Sequence, residues 1–386
     1  MLNFEHYLPT RVFFGKDEIS NLGSEAAKYA KKILLVYGGG SIKKNGIYDQ
    51  VLQQLQGFTI FELAGVQPNP RVSLCRKGIE LCKREGIGLV LGVGGGSVID
   101  SCKCIAAGAK YDGDVWDFYI KKAVPQDALP IGCVLTLAAT SSENNHISVI
   151  SNEETRQKLA LSNTLTNPMF AILDPTYTYT VPAEHTAYSI ADIMVHVLDT
   201  YFSKTPDTPL QDRFAEGILT TVIENAPIVL EKSDDYAARA NLMWCDVWAM
   251  SHLCHRGRIG DSTTHGLEHQ LSAYYDIIHG LGIAIMWPNW ARFVYKSNLP
   301  KFVRYATSVW SVDPSGKSDE DIALLGIQKT DDFFRFLGIP KTLSEIGIDD
   351  RHFQQMAEEA VEIRGPMGWD GQIGIKEAVE IFRMAL

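Results

Sequence analysis

The chain predicts an α/β amino-terminal part built on a doubly wound parallel sheet, followed by an all-α carboxy-terminal part. Three observations carry this. Short apolar runs alternate with helically spaced segments through the first third. Two of those runs break directly into glycine triplets. Beyond Pro182 nearly every segment has helical spacing. At 386 residues the chain exceeds one ordinary core, so two domains are expected, 1–182 and 183–386.

The first strand expected is Lys32–Tyr37, an apolar run that opens into Gly38-Gly39-Gly40-Ser41. Helical spacing over 46–55 and a strand over 58–63 follow, then a turn at Val66–Pro70, where each proline biases its predecessor away from helix. Val72–Glu85 has Cys75, Ile79 and Cys82 on one side of an amphipathic helix. Gly88–Val93 is continuously apolar, as a strand covered on both faces of a parallel sheet should be. It ends in Gly94-Gly95-Gly96-Ser97, and a helix is expected from Val98. A strand at 129–135 leads into the hydroxyl-rich Thr136–Glu143; a strand pair at 147–151 and 158–161 and a last strand at 171–175 complete the α/β part. Nine helices are expected after it, over 184–202, 210–230, 235–254, 265–275, 283–296, 299–310, 319–337, 349–363 and 375–384.

A buried strand opening through glycines into a helix is a phosphate-binding arrangement. Without Cβ atoms the backbone N–H groups approach oxygens closely, and the helix N-terminus adds partial positive charge. The spacing is not Gly-x-Gly-x-x-Gly, because Ile99 stands where the third glycine would be. One triplet is equally an ordinary tight turn; two, each directly after a strand, point to phosphate.

Composition excludes several classes. With 46% hydrophobic and 21% charged residues the chain reads as a globular enzyme, not a disordered or fibrous one. A net charge of −10 without a basic run argues against nucleic acid or an anionic membrane surface as partner. Seven scattered cysteines with no Cys-x-x-Cys read as reduced thiols in a cytoplasm, and no leader or membrane-spanning run is recognisable.

Five of the ten histidines, His252, His255, His265, His269 and His279, fall in one short window. His265 and His269 stand four apart, on one helix face, and Asp192 and His196 repeat that spacing upstream. A single such histidine is more often a satisfied core residue. Two paired sets are the simplest way to gather imidazoles and a carboxylate around one divalent ion. Spacing alone nominates His269 as the partner of His265 and puts His279 at the end of the same helix.

Gly-Gly-Gly-Ser-Val-Ile-Asp100, Asp192-x3-His196 and His265-x3-His269-x9-His279, with Pro-Asn-Pro70 and Leu-Asp-Pro175, together resemble the iron-containing (group III) alcohol dehydrogenase family, in its butanol dehydrogenase and aldehyde reductase branch. The resemblance spans essentially the whole chain. It implies a dehydroquinate synthase-like architecture: a dinucleotide-binding α/β domain, a helical metal-binding domain, and a metal held where the two meet. It implies Asp192, His196, His265 and His279 as metal ligands, with His269 as a non-ligating active-site histidine. It implies Gly94, Gly95, Gly96 and Ser97 as the pyrophosphate loop with Asp100 behind it, Thr136 and Thr140 as a cofactor loop, and Asn69 and Lys158 as further cofactor contacts. The family usually has glycine after the second threonine; here stands Ser141, which leaves the local backbone shape open.

The loop after the first strand bears on the nucleotide. NAD-preferring relatives tend to carry a carboxylate there. Gly38, Gly39 and Ser41, with Lys43 and Lys44 beyond, offer one hydroxyl and two cations instead, so NADP(H) is expected. The implied activity is reduction of short aldehydes or oxidation of short primary alcohols such as butanol. Fe²⁺ is expected, Zn²⁺ being compatible with the same ligands. The resemblance also implies a homodimer. His269 is expected to carry a proton or orient the cofactor, or else to hydrogen-bond a ligand. The rival readings are a metal- and NAD-dependent lyase of the dehydroquinate synthase kind and a non-catalytic descendant.

Overall fold

A computed structural model describes every residue except Ser251 and His252. The window histidine at 252 therefore lies outside the described residues. In chain order the strands are β1 (Arg11–Phe14), β2 (Lys32–Tyr37), β3 (Thr59–Leu63), β4 (Leu89–Gly94), β5 (Ile131–Leu135), β6 (Ile147–Asn152), β7 (Gln157–Ser162) and β8 (Phe170–Leu173). The helices among them are α1 (Leu22–Ala26), α2 (Ser41–Lys44), α3 (Ile47–Gln54), α4 (Val72–Glu85), α5 (Gly96–Gly108) and α6 (Trp116–Tyr119). After them come α7 (Ala183–Tyr201), α8 (Pro209–Glu231), α9 (Tyr236–Ala249), α10 (Thr263–Tyr275), α11 (His279–Val294), α12 (Leu299–Ser308), α13 (Asp319–Phe336), α14 (Phe353–Arg364) and α15 (Ile375–Met384).

The backbone forms two compact units. One comprises Tyr7–Val181 with Asp234–Val247, the other Met1–His6, Pro182–Ser233 and Trp248–Leu386. In the α/β unit six strands form a parallel sheet in the order β1-β8-β5-β4-β2-β3, and β6 and β7 pair antiparallel beside it. One face of the sheet presents Ile33, Leu35, Tyr37, Leu89, Leu91 and Val93 to a buried cluster with Ile42, Ile47 and Val51. α5 packs on β4 and is buried along almost its whole length. Cover on both faces is why β4 reads as an unbroken apolar run.

Chain order reverses at the centre of the sheet. β2 has β3 on one side and β4 on the other, so the two glycine triplets emerge from neighbouring strands, with Tyr37 in register with Val93. That is the switch-point crevice where open α/β sheets take ligands. The strands expected from sequence all form; β1, four residues long, was not among them.

Among the described residues no strand follows β8; the second unit is built from helices, with one isolated bridge between Met367 and Ile373. α7 is buried nearly throughout and packs on α8 and α11, and α10 packs on α11 and α14. Two expectations need correction. α9 stops at Ala249, not at 254. His279 does not end the helix of His265: Asp276 takes a left-handed conformation (φ 53°) that closes α10, and His279 is the first residue of α11. The helix expected from Ile283 begins four residues earlier.

Candidate metal centre and nucleotide loop

α7 is helical through Ala-Asp-Ile-Met-Val-His, so Asp192 and His196 share a face one turn apart. His265 lies in the first turn of α10 and His279 opens α11. Gly280 permits that last placement. A Cβ there would lie 2.2 Å from the carbonyl oxygen of Tyr188, so only glycine lets the start of α11 come this close to α7.

These four side chains converge. Their ligand atoms, one from each residue, all lie within 4.8 Å of one another. Asp192 Oδ1 is 3.5 Å from His196 Nδ1 and 3.6 Å from His279 Nε2. Ligands at about 2.1 Å from a tetrahedral ion stand about 3.4 Å apart, so these separations fit donors arranged around one cation. Asp192 Oδ1 is buried and has no hydrogen-bond partner among the described residues, which an ion at that point would remedy. One carboxylate and three imidazoles are a donor set for Fe²⁺ or Zn²⁺.

His269 is buried beside this group. Its ring centre lies 5.6 Å from that of His279 and 6.5 Å from that of His265, and Arg364 Nη2 donates to its Nδ1 at 3.3 Å. Glu268, His269 and His279 also form a tight group of donor atoms.

Two carboxylates that pattern reading passed over complete the surroundings. His265 Nδ1 lies 2.6 Å from Asp199 Oδ2, and His279 Nδ1 is hydrogen-bonded to Glu268 Oε2. Spacing offered a signal for both. Asp199 is seven residues after Asp192 and Glu268 three after His265, so each falls on the same helix face as that candidate ligand. The remaining window histidine, His255, sits in an exposed turn after α9.

In the α/β unit the loops after β2, β4 and β5 lie side by side. Cβ atoms built at Gly39 and Gly40 would meet nothing within 4 Å, so this backbone is open to approach. Ser41 begins α2, and Gly38 follows Tyr37 directly. Lys43 is engaged locally: its Nζ is 3.6 Å from Glu62 and sits over the rings of Tyr37 and Tyr48. Gly96 is the first residue of α5, with Gly95 at its N-cap and no acidic residue in its first turn. The Val98 and Ile99 N–H groups already donate to the Gly95 carbonyl, so the N–H groups of Gly96 and Ser97 are the ones that point out of the helix start. A Cβ at Gly96 would lie 2.3 Å from Thr140 Oγ1, so glycine is what lets the Thr140 loop close on the helix start. Thr136 N–H donates to the Gly94 carbonyl at 3.0 Å, which places Thr136 beside the same loop.

The other nominated residues lie deeper. The Asp100 carboxylate accepts from Ser142 Oγ at 2.5 Å and from the Val149 N–H at 2.9 Å, tying α5 to the loop and to β6. Burial raises its pKa. Lys158 Nζ donates to Asn69 Oδ1 at 3.0 Å in a buried pair. Beside Asp100 lies a buried network that sequence reading did not single out. Lys103, fully buried, donates to Ser142 Oγ, Asn145 Oδ1 and the Ile147 carbonyl. Burial lowers its pKa to about 8 and raises that of Glu143 to about 7.

Comparison with known proteins identifies the family. The family model "Iron-containing alcohol dehydrogenase" matches residues 9–175, and that of the C-terminal part of the same family matches 186–386. The NADH-dependent butanol dehydrogenase B of Clostridium acetobutylicum is 46% identical over the full length of both chains. The NADPH-dependent aldehyde reductase YqhD of Escherichia coli is 40% identical over 90% of each. The crystal structure of NADH-dependent butanol dehydrogenase A of Thermotoga maritima superposes with a TM-score of 0.94 at 37% identity, covering 100% of this chain and 99% of that one. Matching models over both halves, and full-length relatives well above 30% identity, establish that the chain belongs to the iron-containing alcohol dehydrogenase family and is an oxidoreductase of that family.

Proposed function

We propose that the protein is a metal-dependent, NADP(H)-linked alcohol dehydrogenase and aldehyde reductase for short primary alcohols and aldehydes such as butanol and butanal. The observation that carries the proposal is the convergence of Asp192, His196, His265 and His279, with the Asp192 oxygen buried among nitrogen ligands. When bound, the ion supplies Lewis acidity toward the substrate oxygen, and the nicotinamide carries the hydride. Asp192, His196, His265 and His279 hold the ion. His269, bonded through Nδ1 to Arg364, keeps Nε2 as the atom able to hold or pass a proton. Gly94, Gly95, Gly96 and Ser97 receive the pyrophosphate at the start of α5, with Thr136 and Thr140 alongside, while Asp100, Asn69 and Lys158 brace the site. Iron is the proposed metal, on the family name; the ligand atoms alone accept zinc equally.

Two observations bear on the nucleotide. No carboxylate stands in Gly38–Lys44, and Ser41 and Lys44 are available to a 2′-phosphate, which favours NADP(H). Lys43 is already engaged with Glu62, and relatives 46% identical are named NADH-dependent, which favours NADH as the second reading. Purified protein assayed against short aldehydes and alcohols, with NADPH and NADH in parallel and metal content measured, tests the whole proposal. Absence of net cofactor consumption with every aldehyde would favour a lyase instead.

Among the described residues no helix is long and apolar enough to cross a membrane. All seven cysteines are buried thiols, which supports a reducing cytoplasm as the place of work. A homodimer is proposed on resemblance, and sedimentation measures it.

A further inference from the structure

A neutral imidazole has one N–H and one lone pair, and only the lone pair can bind a cation. Which nitrogen carries the proton is therefore decided by what the other ring atom meets. His265 Nδ1 faces Asp199 Oδ2 at 2.6 Å, and His279 Nδ1 faces Glu268 Oε2. A carboxylate at that position accepts an N–H and repels a lone pair. Both rings are thereby held as the tautomer that carries its lone pair on Nε2, and His279 Nε2 is the atom 3.6 Å from Asp192 Oδ1.

The carboxylates are themselves held. Glu268 is fully buried, and its Oε1 accepts from the Ser272 hydroxyl one turn further along α10. The Asp199 backbone carbonyl accepts from the Asp261 N–H at 2.7 Å, and Asp261 Oδ1 accepts from the N–H of Thr263, the first residue of α10. Asp199 thus sets both the start of α10 and the ring of its first-turn histidine.

We propose that Asp199 and Glu268 are positioning residues for the metal centre, arranged as a chain across three helices. α7 carries Asp192, His196 and, at i+7, the carboxylate that fixes the ligand on α10. α10 carries His265 and, at i+3, the carboxylate that fixes the ligand on α11. Each buried carboxylate also makes its imidazole a stronger donor, so the two together raise affinity for the ion. This rests on the metal reading of the four-residue site.

The test is Co²⁺ binding to the full-length, metal-depleted protein, read as affinity by chelator competition and as the visible ligand-field spectrum. Asp199→Asn and Glu268→Gln keep side-chain size and leave the backbone bond of residue 199 in place, but remove the charge. Each is expected to weaken Co²⁺ binding about 10- to 100-fold and to alter the spectrum, with the near-ultraviolet circular dichroism of the metal-free protein unchanged. His265→Ala, which removes a ligand, should abolish the spectrum. Wild-type affinity and spectrum in both isosteric variants would overturn the inference while leaving the metal reading intact. So would loss of the metal-free fold in both, which would make the carboxylates merely structural. If the wild-type protein itself gives no ligand-field spectrum, the metal reading fails and the inference with it.

Discussion

Ser141, held in a left-handed conformation (φ 51°), donates its N–H to Asp246 Oδ1 at 2.7 Å and its hydroxyl to the Asp246 backbone carbonyl. The family resemblance leads one to expect glycine here, and the backbone angle fits that expectation, since a Cβ in that region costs about 1–2 kcal/mol. Asp246 on α9 compensates with two buried hydrogen bonds. Ser141→Ala keeps the strain and loses the hydroxyl bond, so it should destabilise by about 1–2 kcal/mol. Ser141→Gly loses the same bond but relieves the strain, and should lie within about 0.5 kcal/mol of wild type. Urea midpoints of the two variants check the difference; equal losses would mean that the backbone angle at residue 141 carries no strain that glycine relieves.

Asp192, His196, His265 and His279 are proposed to hold the ion. Replacing His265 or His279 with Ala should abolish bound metal and activity while leaving the fold intact. His269→Ala should keep the metal and lose rate, by about 10²- to 10⁴-fold if this residue carries a proton. Elemental analysis separates the cases. A metal-free His269 variant beside a loaded His279 variant would mean that helix spacing, not the family pattern, names the ligands.

Cofactor preference is tested at Gly39. A Cβ there meets nothing within 4 Å, so an aspartate fits without strain. Its carboxylate would hydrogen-bond the free ribose hydroxyls of NAD and repel a 2′-phosphate. Gly39→Asp should lower kcat/KM for NADPH and raise it for NADH, a relative shift of about 2–4 kcal/mol or roughly 30- to 1000-fold. The wild type should prefer NADPH. Equal use of NADH by the wild type, unchanged in the variant, would mean this loop does not touch the adenosine ribose.

Stability should fall with rising pH at one buried position. Neither carboxylate oxygen of Glu143 has a hydrogen-bond partner among the described residues, and burial raises its pKa from 4.5 to about 7. Between these values the folded protein holds a proton that the unfolded chain has released. The contribution of Glu143 is therefore full below about pH 4.5 and is lost as pH rises toward 7. Glu143→Gln removes that dependence, so its stability relative to wild type should improve from pH 5 to pH 8, by an amount on the order of 1–3 kcal/mol. Paired melting curves at the two pH values measure it; a constant offset would place the Glu143 pKa near its ordinary value.

Much of this protein was legible before its structure. Periodicity alone determined the alternation of strands and helices in the α/β part, because a strand covered on both faces must be apolar throughout, as Leu89–Val93 is. It also determined that helices follow Pro182, and that Asp192 and His196 share a face, since one helical turn sets that spacing. Tertiary structure decided the rest. That His279 opens a new helix depends on one left-handed residue, Asp276, and on Gly280 meeting the Tyr188 carbonyl, and neither has a periodic signature. That Asp199 and Glu268 face His265 and His279 follows from helix packing: spacing says which residues share a face, but only packing says what that face meets.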